Sequence, residues 1–237
     1  MLEHPTWRRV YKGLALALVL YTVVVGLTRP VPDIGIGQSA RNLFFHVPMW
    51  FSMYLLMGLS VLYSLLHLRS GSAETDRRAR EAATVGVGYG LMGLTTGMIW
   101  SRVTWNQAIP STDPAAWWGW DPKQTGALLA VLLYLAYFLL RGSVPQARTR
   151  GRLAAVYNVF AAASLLPLSL ILPRMLGGLH PGAEGETELF GKGQVSDAYR
   201  SVFYPAIVAW MLLGLWAFEL RVRTSRLADR LLERLAP

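Results

Sequence analysis

The sequence predicts an all-α integral membrane protein: six transmembrane helices, both termini cytoplasmic, and a Trp-rich external loop between helices three and four. Three observations carry that prediction. Of 237 residues, 53% are hydrophobic and only 16% are charged, against about 25% charged in a soluble domain. Six apolar runs, 11–28, 44–68, 82–101, 122–140, 153–172 and 200–220, reach the roughly 18 residues that cross a bilayer. The basic residues are one-sided, because 16 of the 23 Lys and Arg lie in the N-terminus, the second and fourth loops and the C-terminal tail. That is the positive-inside pattern. The net charge of +9 is therefore a topology signal rather than a nucleic-acid footprint.

Each element has its own justification. The first run follows Arg8, Arg9 and Lys12 as a signal sequence would. It is long, however, and no small-residue cleavage site precedes Arg29-Pro30-Val31-Pro32, so it reads as an uncleaved span. Span two opens within Phe44-Phe45-His46-Val47-Pro48. Span three carries Gly86, Gly90, Gly93 and Gly97, whose four-residue steps let a neighbouring helix approach closely. Asp121 is the expected N-cap of span four, with Pro122 at its first helical position. Pro167 and Pro173 are expected to kink and then end span five, and Pro205 lies one turn into span six. Helices satisfy their own backbone in lipid, so 1–237 reads as a single membrane domain. The basic tail, 221–237, spaces Leu227, Leu231, Leu232 and Leu235 as an amphipathic helix for headgroups or a cytoplasmic partner.

Composition also excludes functions. There is no cysteine, hence no disulfide exchange, thiolate metal site or covalent haem attachment through CxxCH. A Walker-type phosphate loop is missing too, so ATP is not bound by that device. If the chain binds and delivers a ligand, as its external loops suggest, it is not expected to be an enzyme.

The chemistry concentrates outside the membrane. Five of the nine tryptophans fall in one 21-residue stretch, Trp100 to Trp120, ending in Trp117-Trp118-Gly119-Trp120-Asp121. Trp7, Trp50, Trp210 and Trp216 suit an ordinary interfacial belt, whereas the loop cluster forms a flat, π-rich surface for a large planar ligand. Alternating topology puts His46, the cluster and His180 on one face, and His4 and His67 on the other. His46 and His67 are 21 residues apart, about 31 Å along a helix, and cannot share a ligand. Two imidazoles beside a wide aromatic surface are what a six-coordinate haem requires. Arg41, Arg102, Lys123 and Arg174 are the external cations available to its propionates. Gly177, Gly178 and Gly182 around His180 would leave its backbone mobile, suiting release.

Trp117-Trp118-Gly119-Trp120-Asp121 resembles the WWxWD core (the WWD motif) of the haem-handling protein family. The HVP at His46 and the LHP at His180 are similar to that family's flanking histidine motifs. Length and span number are most like its CcmC branch, the haem-handling membrane subunit of cytochrome c maturation. The resemblance implies haem b held non-covalently at the outer face of the bacterial inner membrane. His46 and His180 would be its axial iron ligands, with Trp105, Trp117, Trp118, Trp120 and Asp121 around the ring. It also implies delivery to a haem chaperone, CcmE, alongside the ABC transporter components CcmA and CcmB and a small membrane subunit, CcmD. Two features depart from the pattern. Gln107–Ala116 separates Trp105-Asn106 from Trp117, and Asp121-Pro122-Lys123-Gln124-Thr125 is closer to the larger CcsA-type relatives.

Two other functions compete. A quinone-linked b-type cytochrome would need haem ligands on both sides of the bilayer, where His4 and His67 alone remain inside. A membrane transporter subunit would place paired charges within the spans, where the sequence has none, and Asn158 alone is thin support.

Overall fold

A computed structural model describes residues 5–30, 37–108, 117–180 and 196–235. His4, residues 109–116 of the loop insertion, Pro181 and Gly182 lie outside the described residues. The chain forms α1 (Pro5–Thr28), a 3-10 turn (Gly37–Asn42), α2 (Leu43–Ser70), α3 (Ala73–Ala108), α4 (Pro122–Ser143) and α5 (Ala147–Leu166). A π-turn (Pro167–Ile171), α6 (Leu172–Leu176) and α7 (Asp197–Leu235) complete it. No strand occurs among the described residues. Six helices are long and apolar enough to cross a membrane, with α5, the π-turn and α6 acting as one.

The helices outrun the apolar windows that announce them. α3 has 36 residues and α7 has 39, about 54 and 58 Å at 1.5 Å per residue, against a hydrocarbon core of roughly 30 Å. The basic loops of the sequence are mostly helix: Gly71 and Ser72 alone join α2 to α3, and three residues join α4 to α5. Span six runs without a break into the basic tail.

Helix α2 is central, packing most extensively on α3 and also on α7 and α5. Its partner face on α3 is the glycine stripe. A Cβ added to Gly86 would meet Met57 Cε at 2.9 Å, one on Gly90 would meet Met53 Sδ at 2.9 Å, and one on Gly93 would meet Trp50 Cε2 at 2.8 Å. Gly97 completes the series, with His46 Cε1 at 2.8 Å. Residues 46, 50, 53 and 57 follow helical spacing, so antiparallel α2 lays four large side chains into four consecutive vacant Cβ positions. Met49, Met53, Leu56, Val87, Val131, Tyr134 and Tyr137 build the core around this seam.

Ion pairs close the end of the bundle that holds both termini. Glu219 of α7 meets Arg8 and Lys12 of α1. Asp76 of α3 accepts two hydrogen bonds from Arg141 of α4, at 2.7 and 2.8 Å. Glu81, with a 3% exposed side chain, accepts from Arg221 at 2.7 Å. Paired and doubly hydrogen-bonded, such buried charges are tolerated at a helix-bundle margin.

The fifth span departs from the expected outcome. Pro167 removes a backbone donor, and the helix continues through a π-turn in which Leu172 N–H bonds to the Pro167 carbonyl. Pro173 does not end the span. It sits in the first turn of α6, where a missing N–H costs nothing, and helix persists to Leu176. The π-turn leans its Leu168 carbonyl directly on the Cα of Gly126 in α4. Its Ser169 accepts a 2.8 Å hydrogen bond from Tyr54 of α2. Gly126→Ala therefore drives a methyl into backbone and is expected to destabilise the fold by about 1–3 kcal/mol, read as a lowered melting temperature in detergent. An unchanged melt would show that the π-turn does not bear on α4 as described.

Candidate functional site

The opposite end of the bundle gathers the predicted site residues. His46 lies in the first turn of α2 and is 8% exposed. Its ring is walled by Gly97 and by the edges of Trp50 and Trp100, with centroids 6.2 and 5.8 Å away. Nδ1 lies 3.0 Å from Thr96 Oγ1, and the Gly93 backbone carbonyl also accepts from the ring.

His180 is held by Asp121. Its Nδ1 is 2.7 Å from Asp121 Oδ1, and the ring meets Trp105 edge-on at 4.6 Å. The same carboxylate accepts from the backbone N–H groups of Lys123 at 2.9 Å and Gln124 at 3.2 Å, capping α4. Its Oδ2 accepts from Leu179 N–H at 2.8 Å. Asp121 is thus both the helix cap that its Asp-Pro context announced and the anchor of the histidine segment. Burial alone would raise its pKa. The hydrogen bond from His180, the electrostatic influence of that imidazole and the backbone N–H groups of Leu179 and Gln124 outweigh burial and hold it well below the ordinary carboxylate range.

This anchoring runs against the expectation of a mobile His180. Gly177 has φ +70° and Gly178 φ +157°, values that other residues rarely adopt. A Cβ on Gly178 would also meet Asp121 Oδ2 at 2.5 Å. Here Gly178 permits a tight approach to the carboxylate.

Helix α3 serves both histidines. Gly97 and Trp100 flank His46 and Trp105 flanks His180, so the contacts spread over about 12 Å of one helix. The two imidazoles are close enough to act on one another electrostatically, and Lys123 acts on His46 as well. His67 stands at the far end, its Nδ1 2.9 Å from the Ser72 carbonyl oxygen and its Nε2 against Gly151.

The tryptophans divide into seated and displayed rings. Trp118 packs against the core and meets Trp120 edge-on at 6.2 Å. Trp120 is 80% and Trp117 54% exposed, and the Arg102 guanidinium lies 4.2 Å from the Trp117 centroid. Among the four candidate cations, Arg41 is spent on the Gly26 and Arg29 carbonyls, and Arg174 is exposed. Buried polar atoms without a partner among the described residues collect nearby: the indole nitrogens of Trp100 and Trp118 and both ends of the Gln124 amide.

Sequence inspection passed over Thr96 and Trp100 as neighbours of His46, and Trp50 is a site-wall residue rather than merely a belt residue. The available signal was the match between the 46/50/53/57 spacing and the 97/93/90/86 glycines.

The described residues form an α-helical membrane bundle with two anchored imidazoles and exposed indoles gathered at one end. The profile of the family described as "CcmC: Heme exporter protein C" matches residues 4–237, and the chain belongs to that family. Heme exporter protein C of Paracoccus denitrificans is 30% identical over 229 residues, covering 94% of this chain and 87% of the relative. The protein of the same name from Rhodobacter capsulatus is 27% identical over 202 residues, covering 82% and 76%. A cytochrome c biogenesis protein CcsA of Prochlorococcus marinus subsp. pastoris is 34% identical over 91 residues, covering 38% and 26%.

Because the folded pKa of Asp121 is depressed, its contribution is complete above the unfolded carboxylate value near 4 and is lost as pH falls through the lower folded value. Asp121→Asn is expected to cost about 1–3 kcal/mol at pH 7 and to flatten the acid limb of stability below about pH 4. Melting in detergent across that range checks both, and a variant with the wild-type melting temperature and acid limb would contradict the assignment.

Proposed function

We propose that this protein binds haem b non-covalently at the external face of the bacterial inner membrane and passes it to a haem chaperone during cytochrome c maturation. The observation that carries the reading is the pair of imidazoles at one end of the bundle, each fixed through Nδ1, one to Thr96 and one to Asp121. Metal-ligating histidines are characteristically held this way, the distal nitrogen hydrogen-bonded and the proximal one bare. Haem is cargo here, and its iron would take His46 and His180 as axial ligands.

The rest of the site fits the same molecule. Trp105 and Trp118, with the displayed Trp117 and Trp120, offer indole area to a porphyrin. Arg102 and Lys123 are the cations nearest the cluster for its propionates. The unpartnered indole N–H groups and the Gln124 amide would each cost about 1–3 kcal/mol if left unsatisfied, which a polar ligand or water relieves. Family membership and the names of the relatives support haem handling. The acceptor in this reading is a chaperone of the CcmE type, with CcmA, CcmB and CcmD as companion subunits, and membership of the family supports a multi-subunit setting.

The basic ends of the helices favour the terminal end as cytoplasmic, leaving the histidine end outside. Binding and hand-over require no bond-making by this chain, so it is assigned no catalytic residue. His67 is also fixed through Nδ1 with Nε2 unpartnered, but that nitrogen is buried against Gly151 and has no room for a metal, which disfavours the electron-transfer alternative.

Purified protein is expected to show the absorption spectrum of six-coordinate low-spin haem. His46→Ala and His180→Ala should each convert it to a weaker, high-spin form. An unaltered spectrum in both variants would overturn the proposal.

A further inference from the structure

We propose that Thr96 is a positioning residue for His46, its hydroxyl selecting the imidazole tautomer that leaves Nε2 with a free lone pair. The inference deepens the haem-binding reading and draws its purpose from it, although the tautomer itself is a property of the ligand-free protein.

Thr96 Oγ1 lies 2.8 Å from the Met92 carbonyl oxygen and 3.1 Å from the Gly93 carbonyl oxygen. Both oxygens can only accept, and a hydroxyl has a single hydrogen. That hydrogen must therefore point at a carbonyl, and the lone pairs are left to face His46 Nδ1 at 3.0 Å. Nδ1 is then the donor toward Thr96 and carries the ring proton, and the Gly93 carbonyl, which also accepts from the His46 ring, is a second acceptor on the same side of α3. Were the hydroxyl to donate to Nδ1 instead, its oxygen would face two carbonyl oxygens with no proton between them.

Back-bonding to the residue four earlier is common for a helical threonine, and Thr95 and Thr104 of the same helix do it. Thr96 differs in that its remaining lone pairs are aimed at an imidazole. Its place in the chain accounts for this: it stands one residue before Gly97, whose missing Cβ lets the His46 ring approach. The ring cannot turn away, because Trp50 and Trp100 bound it on other sides. Position, orientation and protonation of His46 are thus all set by α3 and its neighbours before any ligand arrives.

The test starts with haem-free protein in detergent, uniformly labelled with nitrogen-15 at histidine. The His46 signals are assigned by their loss in His46→Gln. Wild type and Thr96→Ser are expected to show a protonated Nδ1 and a bare Nε2, whereas Thr96→Val, and Thr96→Ala as a smaller replacement, shift toward the opposite tautomer. Wild-type nitrogen shifts in both hydroxyl-free variants would overturn the inference. Haemin titration then reads the consequence: affinity about 10-fold lower and a smaller low-spin fraction in Thr96→Val, with both restored in Thr96→Ser. Normal haemin binding by Thr96→Val would overturn the positioning role. Failure of wild type itself to bind haemin would overturn the haem-binding reading, while the tautomer result would still stand or fall by its own measurement.

Discussion

The four glycines on one face of α3 are the constraint on which the rest of the molecule rests. Between lipid-facing helices there is no hydrophobic gain from association, so close packing has to supply the contact energy. Vacant Cβ positions at 86, 90, 93 and 97 let α2 come close enough to seat two methionines, a tryptophan and a histidine in succession. The same seam that joins the helices also delivers His46 to its walls. Scaffold and site are one contact surface, and the packing of the membrane interior sets the coordinates of an imidazole at its margin.

The second half of the site is built from a single carboxylate. Asp121 begins α4, holds the Leu179 N–H and anchors His180. Ionised and buried, it is an acceptor with four hydrogen bonds and no spare geometry. The two imidazoles consequently rest on unlike acceptors: a charged one for His180, a neutral hydroxyl for His46. The Tyr54–Ser169 hydrogen bond joins α2 to the π-turn leading toward His180, so the two halves are mechanically tied below the aromatic cluster.

Much of this was legible in the residues. Apolar run lengths announced six helices, Asp121-Pro122 announced a cap, and alternation of the spans put His46 and His180 at the same end. Helix lengths were not legible, because charged residues outside the hydrocarbon continue a helix without contributing to an apolar window. Pro173 misled, since a proline that ends a helix and one that opens the next piece look alike in sequence. Thr96, Trp50 and Trp100 escaped for a different reason. Their roles depend on the register between α2 and α3, which is decided by which side chain meets which glycine. His4 and the 109–116 stretch lie outside the described residues.

The central claim is that two imidazoles from separate segments converge on one iron. Electron paramagnetic resonance combined with near-infrared magnetic circular dichroism of the ferric haem-loaded protein identifies axial ligands directly. A low-spin spectrum with bis-imidazole ligation is the expected result. A five-coordinate or single-imidazole signature in the intact protein would contradict the account.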